Sequence, residues 1–528
     1  MRDFDFPGRS TVHACNGMAA TSHPLATGVA VDVLRKGGNA LDAAIAASAT
    51  LAVIEPQSTG IGGDCFALLC LGGGDGVIGF NGSGRAPAAA TPERFLGQGI
   101  REIGATSVHA VTMPGAVDAW CALHEAHGRM DFHALLAPAV AYARDGYPVH
   151  ARVRFDWLRA ADLLRQNEAA RAVFLPHDRV PGEGDLHRQP VLAETLAKVA
   201  AGGRGAFYES SIAEAMTATL RKAGGCHALE DFAAVRGDYV TAISTEYRGA
   251  RVHQIPPNNQ GLTALIMLNI LEGFDLQAWA PLSAERTHLE VEAGKLAFAA
   301  RNAAIADPAS MTTTLAQLLS KDWARELRGN IQLDRPLAEL PDLGLRKSDT
   351  VYVCVVDRDL NAVSFINSIY DSFGSAILCP QTGVLFQNRG RSFRLDPDHP
   401  NCIGPSKRPM HTIMPGMVTR GGRALMPYGV MGGDYQPFGH TRLLTNVFDY
   451  GLDMQAALDM PRVFASEHWI ELEKSFPTET IRKILAIGHE VRLAAEPLGG
   501  GQAIFIDHDR GILSGGSDPR KDGCALGY

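Results

Sequence analysis

The chain has 528 residues, of which 46% are hydrophobic and 20% charged, a balance typical of a globular protein with a large core. The formal net charge is −8 and no basic run occurs, which argues against a nucleic-acid partner. Residues 1–10 contain acids and a proline where a signal peptide needs an apolar core, and no segment approaches the roughly 20 apolar residues of a membrane span. We therefore expect a cytoplasmic protein without a membrane partner.

Cysteines and histidines give no sign of a cofactor. The nine cysteines are scattered, with no C-x-x-C pair, so we expect neither structural disulfides nor a cysteine zinc site. The 18 histidines include no H-E-x-x-H motif and no pair spaced i, i+4, so no metal is expected. A glycine cluster at 60–63 is similar to a dinucleotide loop, but it lacks the full G-x-G-x-x-G motif and a preceding strand. No cofactor is predicted.

The first two thirds of the chain are mostly helical in pattern. Alanine-rich helices are predicted at 25–35 and 39–53, and short apolar strands at 66–71 and 77–80. Helical patterns then dominate from 106 to 327, including 114–127 and 282–304. The charges of the last helix should form a solvated face; they are Glu285, Glu290, Glu292 and Lys295.

From residue 350 onward the pattern changes to strands. β-Branched and apolar residues predict strands at 351–356, 362–369, 384–387, 412–418 and 423–429. A helix is predicted at 441–450. No low-complexity segment or linker separates the two regions, so we expect an α/β architecture that forms one structural unit.

Thr350 immediately precedes the strand predicted at 351–356. If the peptide bond between Asp349 and Thr350 is cut, the freed α-amine lies beside the threonine Oγ and can act as its general base. One residue would then supply both nucleophile and base. The alternative is structural, because threonine is a good strand former and Asp-Thr pairs are common at turn-to-strand junctions.

The surroundings of Thr350 favour the nucleophile. Segments 348–350, 355–363 and 372–375 resemble, in order and spacing, the start of the small subunit in the γ-glutamyltranspeptidase family. Seven further segments, in family order, are similar to signatures of the same family; they are 16–26, 37–44, 55–64, 114–117, 256–261, 431–434 and 518–523. The resemblance therefore covers nearly the whole chain.

This resemblance implies the fold and maturation of an N-terminal-nucleophile hydrolase. The expected fold is a four-layer αββα sandwich, with two β-sheets stacked between helical layers. Self-cleavage before Thr350 would give a large fragment, 1–349, and a small fragment, 350–528, which stay associated. Dimers of such pairs are a further expectation of the resemblance.

The resemblance also assigns catalytic roles. Thr350 would be the nucleophile, Gly432 and Gly433 would supply oxyanion donors, and Ser368 would orient the nucleophile with its hydroxyl, at a position where relatives usually carry threonine. Backbone N–H groups at a glycine turn suit an oxyanion because no side chain intervenes. Without the resemblance, the glycine pair would be interpreted as a plain turn before a helix, and Ser368 as a strand serine.

Departures from the transpeptidase pattern indicate the substrate. Arg391, three residues after Asn388, stands where the family has an aspartate that binds the α-ammonium of the donor. A guanidinium would repel that ammonium and instead suits a carboxylate. The donor-binding arginine of the family is also displaced, because Ser83 holds its position and Arg85 lies two residues later.

Two further changes affect donor recognition. His411 and Thr412 replace a pair of serines that contact the donor carboxylate in the family, and Tyr370 replaces an asparagine. All these changes resemble the acylase-like branch. We expect a hydrolase of a small anionic amide, with oxamate, cleaved to oxalate and ammonia in purine or allantoin nitrogen catabolism, as the preferred substrate.

Alternatives stay open. Glutathione hydrolases or γ-glutamyltransferases and acylases of glutaryl or cephalosporin-type side chains would share the nucleophile and differ in the acyl group. An uncleaved binding homologue without activity is an alternative of another class. For Arg389, Arg391 and Arg394, the competing interpretation is a solvated loop with its charges directed outward.

Overall fold

The computed structural model describes residues 4–5, 8–337, 350–466 and 469–528. Asp349, on the amino side of the predicted cleavage point, lies outside the described residues. The strands are β1 Val12–Ala14, β2 Met18–Thr21, β3 Asp64–Cys70, β4 Val77–Gly82, β5 Tyr147–Pro148, β6 Leu186–His187, β7 Asp238–Thr241, β8 Ile243–Tyr247, β9 Ala250–Gln254, β10 Val351–Val356, β11 Ala362–Ser368, β12 Gly416–Arg420, β13 Arg423–Met431, β14 Val463–Ala465, β15 Ile470–Leu472, β16 Val491–Leu493, β17 Gly500–Asp507, β18 Ile512–Ser517 and β19 Cys524–Gly527.

The α-helices cover most of the remaining chain. They are α1 Pro24–Arg35, α2 Ala40–Ile54, α3 Pro92–Gly97, α4 Ala116–His127, α5 Phe132–Asp145, α6 Ala151–Arg159, α7 Ala161–Arg165, α8 Glu168–Phe174, α9 Pro190–Tyr208, α10 Ser211–Lys222, α11 Leu229–Ala233, α12 Gly261–Leu271, α13 Ala284–Ala304, α14 Leu315–Leu318, α15 Lys321–Arg328, α16 Gln436–Phe448, α17 Met454–Asp459 and α18 Thr478–Ile487. Short 3₁₀ turns include Arg389–Ser392 and Gly433–Tyr435, which both return in the site.

Two seven-stranded sheets form the centre of the molecule. The first has the order β19-β2-β10-β11-β3-β4-β7, and the second has the order β1-β18-β17-β13-β12-β9-β8. Neighbouring strands in both sheets are antiparallel. Residues on both sides of position 350 contribute strands to each sheet, so the two predicted fragments form one folded unit.

Strand β10 shows how the sequence builds the layers. Its odd-numbered residues, Val351, Val353 and Val355, belong to the core beneath helices α1, α2 and α4. Its even-numbered residues, including Tyr352 and Val356, belong to the core between the two sheets. Successive strand side chains point to opposite faces, so the alternation buries both faces of this strand.

The second sheet is covered on its outer face by α12, α13 and α16, which share a core with β9, β12 and β13. The order of layers is therefore helix, sheet, sheet, helix. The αββα sandwich expected from the sequence is confirmed.

Several predicted elements need correction. Segment 384–387 forms loop structure, and the 106–327 region contains strands β7, β8 and β9, which the helical pattern obscured. The strand predicted at 412–418 begins only at Gly416, and the helix predicted at 441–450 begins at Gln436, because Pro437 fits the first turn of a helix.

The solvated face expected on α13 is wrong. Glu290 and Glu292 are buried, because α12, α16 and α18 pack around the helix. Arg286 and Arg442 both pair with Glu290, and Lys295 pairs with Glu292 at 2.8 Å. The cationic partner of each carboxylate offsets the free-energy cost of burying its charge.

All nine cysteines are free thiols. Among the described residues, no helix combines the length and the apolar character needed to cross a membrane.

Buried histidines should make the stability depend on pH. Burial lowers the pKa of His23, His411 and His440 to about 3, from 6.5 in the unfolded chain. Between these pH values the unfolded chain binds protons that the folded chain does not, so the free energy of unfolding should fall as pH decreases below about 6.5. Each histidine contributes up to about 1.4 kcal/mol per pH unit.

Urea unfolding at a series of pH values between 7.5 and 5 measures this slope. His440→Gln should flatten it, whereas His133→Gln, at an exposed position, should leave it unchanged. Equal slopes for the wild type and His440→Gln would contradict the assignment.

Candidate active site

Thr350 lies immediately before β10 and is completely buried. The register of β10 with β11 pairs Val351 with Asn367, which places Thr350 beside Ser368, the last residue of β11. The Thr350 hydroxyl donates to the Ser368 hydroxyl at 3.4 Å, and the Tyr370 backbone N–H donates to the same Ser368 oxygen at 2.9 Å. Ser368 therefore lies where a group that orients the Thr350 hydroxyl would have to be.

Asp64 begins β3 and pairs in register with Ser368. One of its carboxylate oxygens accepts from the backbone N–H groups of Gly84 and Gly115, at 2.9 and 3.1 Å, and from the Gln387 amide at 2.9 Å. The other oxygen binds His411 Nε2 at 3.0 Å. This buried carboxylate fixes the loops that surround the start of β10.

His411 uses both ring nitrogens inside the protein. Its Nδ1 accepts from the Ile413 backbone N–H at 3.3 Å, so Nε2 carries the proton that is donated to Asp64. Burial, together with the charge of Arg389, lowers the pKa of His411 to about 3, so the ring is neutral at neutral pH. His411 was predicted to bind substrate. In the structure its ring donates to Asp64 and so helps to position that carboxylate.

Arg389 is the buried cation of the site. It begins the 3₁₀ turn Arg389–Ser392, and its side chain is fully buried. Its Nη1 donates to Thr412 Oγ1 at 2.8 Å, and its guanidinium carbon lies 3.9 Å from the centre of the Tyr370 ring. Its Nε and Nη2 have no hydrogen-bond partner among the described residues. Burial lowers the pKa of Arg389 from its ordinary value.

Arg391 has a different environment from Arg389. Its side chain is 26% exposed and pairs with Asp371 at 2.6 Å. Asn388 donates from its side chain to Asp371 at 2.8 Å and accepts from the Asp371 backbone N–H at 3.1 Å. Asn388 therefore positions the Asp371 carboxylate, which in turn pairs with Arg391.

Two cavities flank this ion pair. The first, of about 210 Å³, is lined by Tyr370, Arg391, Asp434, Arg301, Asn302, Ile305, Arg101, Glu102, Ile103, Ser392, Phe393, Arg394, Leu395, His399, Asn401 and Met410. The second, of about 380 Å³, is lined by Asp371, Arg391, Gly432, Tyr435, Arg152, Asp156, Arg159, Ala160, Leu163, Ser372, Glu496, Pro497, Leu498, Gly499 and Lys521. Gly432, the first of the two predicted oxyanion glycines, thus lines the second cavity together with Arg391.

Gly432 and Gly433 follow the end of β13 with φ values of 119° and 61°. Both lie in the left-handed region that favours glycine. Gln260 donates from its amide to the Gly433 carbonyl at 3.0 Å and to the Thr412 carbonyl at 2.7 Å. This single amide links the glycine turn to the partner of Arg389.

Arg301 stabilises the same turn from α13. Its Nη1 donates to an Asp434 carboxylate oxygen at 2.5 Å and to Oε1 of the Gln260 side chain at 2.8 Å. The glycine turn is thereby fixed by Gln260 at Gly433 and by Arg301 at Asp434.

Other predicted arginines lie away from these contacts. The Arg85 guanidinium lies 3.8 Å from Asp238 and from Asp307, and it donates to the Ser406 carbonyl at 3.1 Å. Its side chain is 41% exposed and lines neither cavity. Arg394 is exposed, as the solvated-loop interpretation predicted, whereas Arg389 is not.

Asp64, Gln260, Arg301 and Asp371 were not predicted as site residues. Asp64 and Gln260 stood inside the family-like segments 55–64 and 256–261, which was their only signal in the sequence. Arg301 and Asp371 come from a helix and a loop whose contacts depend on the tertiary fold.

Comparisons with known proteins identify the family to which the chain belongs. The family model of gamma-glutamyltranspeptidase matches residues 26–528. A glutathione hydrolase-like YwrD proenzyme of Bacillus subtilis is 39% identical, over 97% of this chain and 98% of its own. An oxamate amidohydrolase proenzyme of Klebsiella pneumoniae is 35% identical, over 97% and 98%. The crystal structure of a cephalosporin acylase from Bacillus halodurans superposes with a TM-score of 0.93 at 39% identity, covering 100% of this chain and 99% of that one.

The αββα sandwich, together with the structural similarity to the cephalosporin acylase, is the fold of an N-terminal-nucleophile hydrolase. The chain belongs to the γ-glutamyltranspeptidase family, within which its relatives include oxamate amidohydrolase and acylases. It is a hydrolase that acts on amide bonds.

Substitution of Gly432 tests the oxyanion turn. In Gly432→Ala, the new Cβ would lie 2.9 Å from Gly499 Cα, and the φ of 119° is unfavourable for alanine. We expect amide hydrolysis to fall at least about 10-fold, because a displaced oxyanion donor typically costs more than that.

Gly421→Ala is the matched control. Gly421 also has a positive φ, of 57°, but a Cβ there would have no neighbour within 4 Å. It should lose only the roughly 1–2 kcal/mol of stability that left-handed strain costs and keep its activity. Equal losses of activity in both variants, with both folded by circular dichroism, would remove Gly432 from the catalytic turn.

Proposed function

We propose that the protein is a self-cleaving N-terminal threonine amidohydrolase of a small amide that carries a carboxylate, with oxamate as the preferred substrate. Arg389 carries this proposal. Its Nε and Nη2 donors are buried and unpartnered among the described residues, and its stacking partner Tyr370 is two residues from Ser368, the contact of Thr350.

A buried guanidinium with two unused donors is costly until an acceptor arrives. The Nε and Nη2 groups form one edge of the guanidinium, and this edge can bind both oxygens of a carboxylate through parallel hydrogen bonds. Thr412 and Tyr370 hold the guanidinium from its other edge and its face. The predicted role of Arg391 in holding the donor carboxylate thus suits Arg389 better, since Arg391 is already paired with Asp371.

Two aspartates that line the cavities of the site are already paired with arginines, which disfavours the ammonium group of a γ-glutamyl donor. Asp371 pairs with Arg391 at 2.6 Å, and Asp434 pairs with Arg301 at 2.5 Å. An ammonium group would have to compete with both arginines for these carboxylates. A donor with a carboxylate and no ammonium is favoured on this ground.

Maturation would begin with attack of the Thr350 hydroxyl on the carbonyl of Asp349. The peptide bond becomes an ester, and its hydrolysis leaves the Asp349 carboxylate and a free α-amine on Thr350. That amine would then accept the hydroxyl proton when Oγ attacks the substrate amide. Ser368 would orient the hydroxyl.

Turnover would follow as acyl transfer. The attack gives a tetrahedral oxyanion, which N–H groups of the Gly432–Gly433 turn would stabilise. Collapse releases ammonia, with the proton returned by the Thr350 amine, and leaves an oxalyl ester on Oγ. Water activated by the same amine then releases oxalate and regenerates the hydroxyl.

A glutaryl or cephalosporin-type acylase is the second candidate. The structural similarity to the cephalosporin acylase favours it. A glutaryl group also ends in a carboxylate, so Arg389 could bind it, but the amide carbon lies three methylene groups away. The two candidates therefore differ in the distance that separates the carboxylate from the threonine.

Association of the two fragments after cleavage, a dimer of such pairs and a cytoplasmic location also belong to this proposal. The interleaved strands of the two sheets support the first of these. Size-exclusion chromatography with light scattering would establish the assembly.

Thr350→Ala should abolish both maturation and hydrolysis. Without the hydroxyl, neither the ester intermediate nor the acyl-enzyme can form, so denaturing electrophoresis should show one chain instead of two fragments. Thr350→Ser is the matched control, since it restores a hydroxyl and should cleave itself. Maturation of the alanine variant at the wild-type rate would refute the nucleophile.

Arg389→Met should lower kcat/KM for oxamate by about 10- to 100-fold, since a charge-assisted pair is lost, chiefly through a raised KM. Arg391→Met should have a smaller effect, and Arg423→Met, at an exposed position, should have none. Steady-state ammonia release measures these constants. An unchanged KM in Arg389→Met would show that this arginine does not bind the donor.

The substrate itself needs a separate comparison on the mature wild-type enzyme. We expect faster release from oxamate than from glutaryl-p-nitroanilide, and little turnover of γ-glutamyl-p-nitroanilide. Preference for the glutaryl compound would favour the acylase, and efficient γ-glutamyl turnover would defeat the argument from the paired aspartates.

A further inference from the structure

A second cluster of functional groups lies between α13 and the residues that follow α18, outside both cavities of the site. His288 and Glu292 are one turn apart on the same face of α13. His489 follows α18, whose final residue is succeeded by Gly488 in the left-handed conformation, with φ 110°. All three side chains are buried, and their ligand atoms lie within 4.8 Å of one another.

The hydrogen bonds of His288 determine which nitrogen is available. Its Nε2 contacts the Gln332 carbonyl at 2.6 Å, and a carbonyl can only accept, so Nε2 carries the proton. The neutral ring then presents the lone pair of Nδ1 to His489 Nε2, 2.7 Å away. A histidine whose second nitrogen donates to a carbonyl is the usual arrangement of a metal ligand.

Glu292 completes the cluster with a carboxylate. Its Oε1 lies 3.9 Å from His489 Nε2, and its Oε2 accepts from the Leu337 backbone N–H at 2.5 Å. Two imidazole nitrogens and one carboxylate oxygen are a common ligand set for Zn²⁺.

We propose that His288, Glu292 and His489 form a binding site for a divalent transition-metal ion of the Zn²⁺ class. Zinc ligands at about 2.0–2.1 Å in tetrahedral geometry lie roughly 3.4 Å from one another. The separations of 2.7 and 3.9 Å bracket that value, and all three ligand atoms lie within 4.8 Å of one another, so small side-chain shifts would form the site. His489 would change tautomer, so that its proton lies on Nδ1 and the lone pair of Nε2 coordinates the ion, and water would take the fourth position.

Lys295 is the competitor of such an ion. Its ammonium lies 2.8 Å from Glu292 Oε1, the oxygen that faces His489. A metal ion must displace this ammonium before the carboxylate can coordinate. Lys295 should therefore weaken metal binding, and its removal should strengthen it.

The site would join parts of the chain on both sides of Thr350. His288 and Glu292 precede it, and His489 follows it. Gln332 and Leu337, whose backbone the cluster binds, lie shortly before the start of the segment 338–349 that leads to Thr350. If the chain is cut as proposed above, the ion would cross-link the two fragments; metal binding itself does not depend on the cut.

The sequence predicted no metal because its histidines show no local pairing. His288 and His489 are 201 positions apart, and Glu292 was interpreted as part of a solvated face. Only the packing of α18 against α13 brings the three together.

Metal titration of the purified full-length protein tests the proposal. After removal of metals with a chelator, calorimetry with Zn²⁺ should show one equivalent bound, and Co²⁺ should give the visible absorption of a tetrahedral centre. His288→Ala, Glu292→Gln and His489→Ala should each weaken Zn²⁺ binding at least about 10-fold, since each removes a ligand. His133→Ala, which alters an exposed histidine, is the matched control and should bind as the wild type does.

Lys295→Met is a further test variant, and it keeps all three proposed ligands. It should bind Zn²⁺ more tightly than the wild type. If a histidine variant fails to fold, the Zn²⁺ affinity of Lys295→Met still tests the proposed site. Lack of stoichiometric binding by the wild type and Lys295→Met, or binding that persists in all three ligand variants, would overturn the proposal. Amide hydrolysis is not the readout, so failure here would leave the proposed function unaffected.

Discussion

The antiparallel pairing of β10 with β11 is the constraint on which the site depends. It pairs Val351 with Asn367 and so places the hydroxyl of Thr350 beside that of Ser368. A shift of one residue would turn Thr350 toward the other face of the sheet. The valines of β10 prevent that shift, because their alternation is buried in two different cores.

Asp64 extends this constraint from the sheet to the surrounding loops. It pairs with the end of β11, and it receives four hydrogen bonds from separate segments of the chain. A buried carboxylate is tolerable only with such partners, and removing one partner leaves an uncompensated charge. His411, which the sequence predicted to bind the donor, is one of these partners, so it supports the site by holding Asp64.

Much of the fold could be predicted from the sequence. The strand at 351–356 has the predicted bounds, because its residues are β-branched and apolar on both faces. The burial of Arg389 could not be predicted, since a loop with three arginines in six residues is ordinarily solvated. Its environment comes from Thr412 and Tyr370, which lie on different loops. The acids of α13 were misjudged for a related reason, since Arg442 is 152 positions from Glu290.

The interleaving of the sheets has a consequence for the life of the mature molecule. Strand β10 lies between β2 and β11, and β3, from before residue 349, lies on the far side of β11. If the chain is cut as proposed, separating the two fragments would break the pairing of several strands at once, and the separated fragments would have to associate again in order to refold. We expect an uncut precursor to refold as one chain and the cleaved form to unfold irreversibly, so that the persistence of the cleaved form at high temperature is set by its unfolding rate and not by an equilibrium.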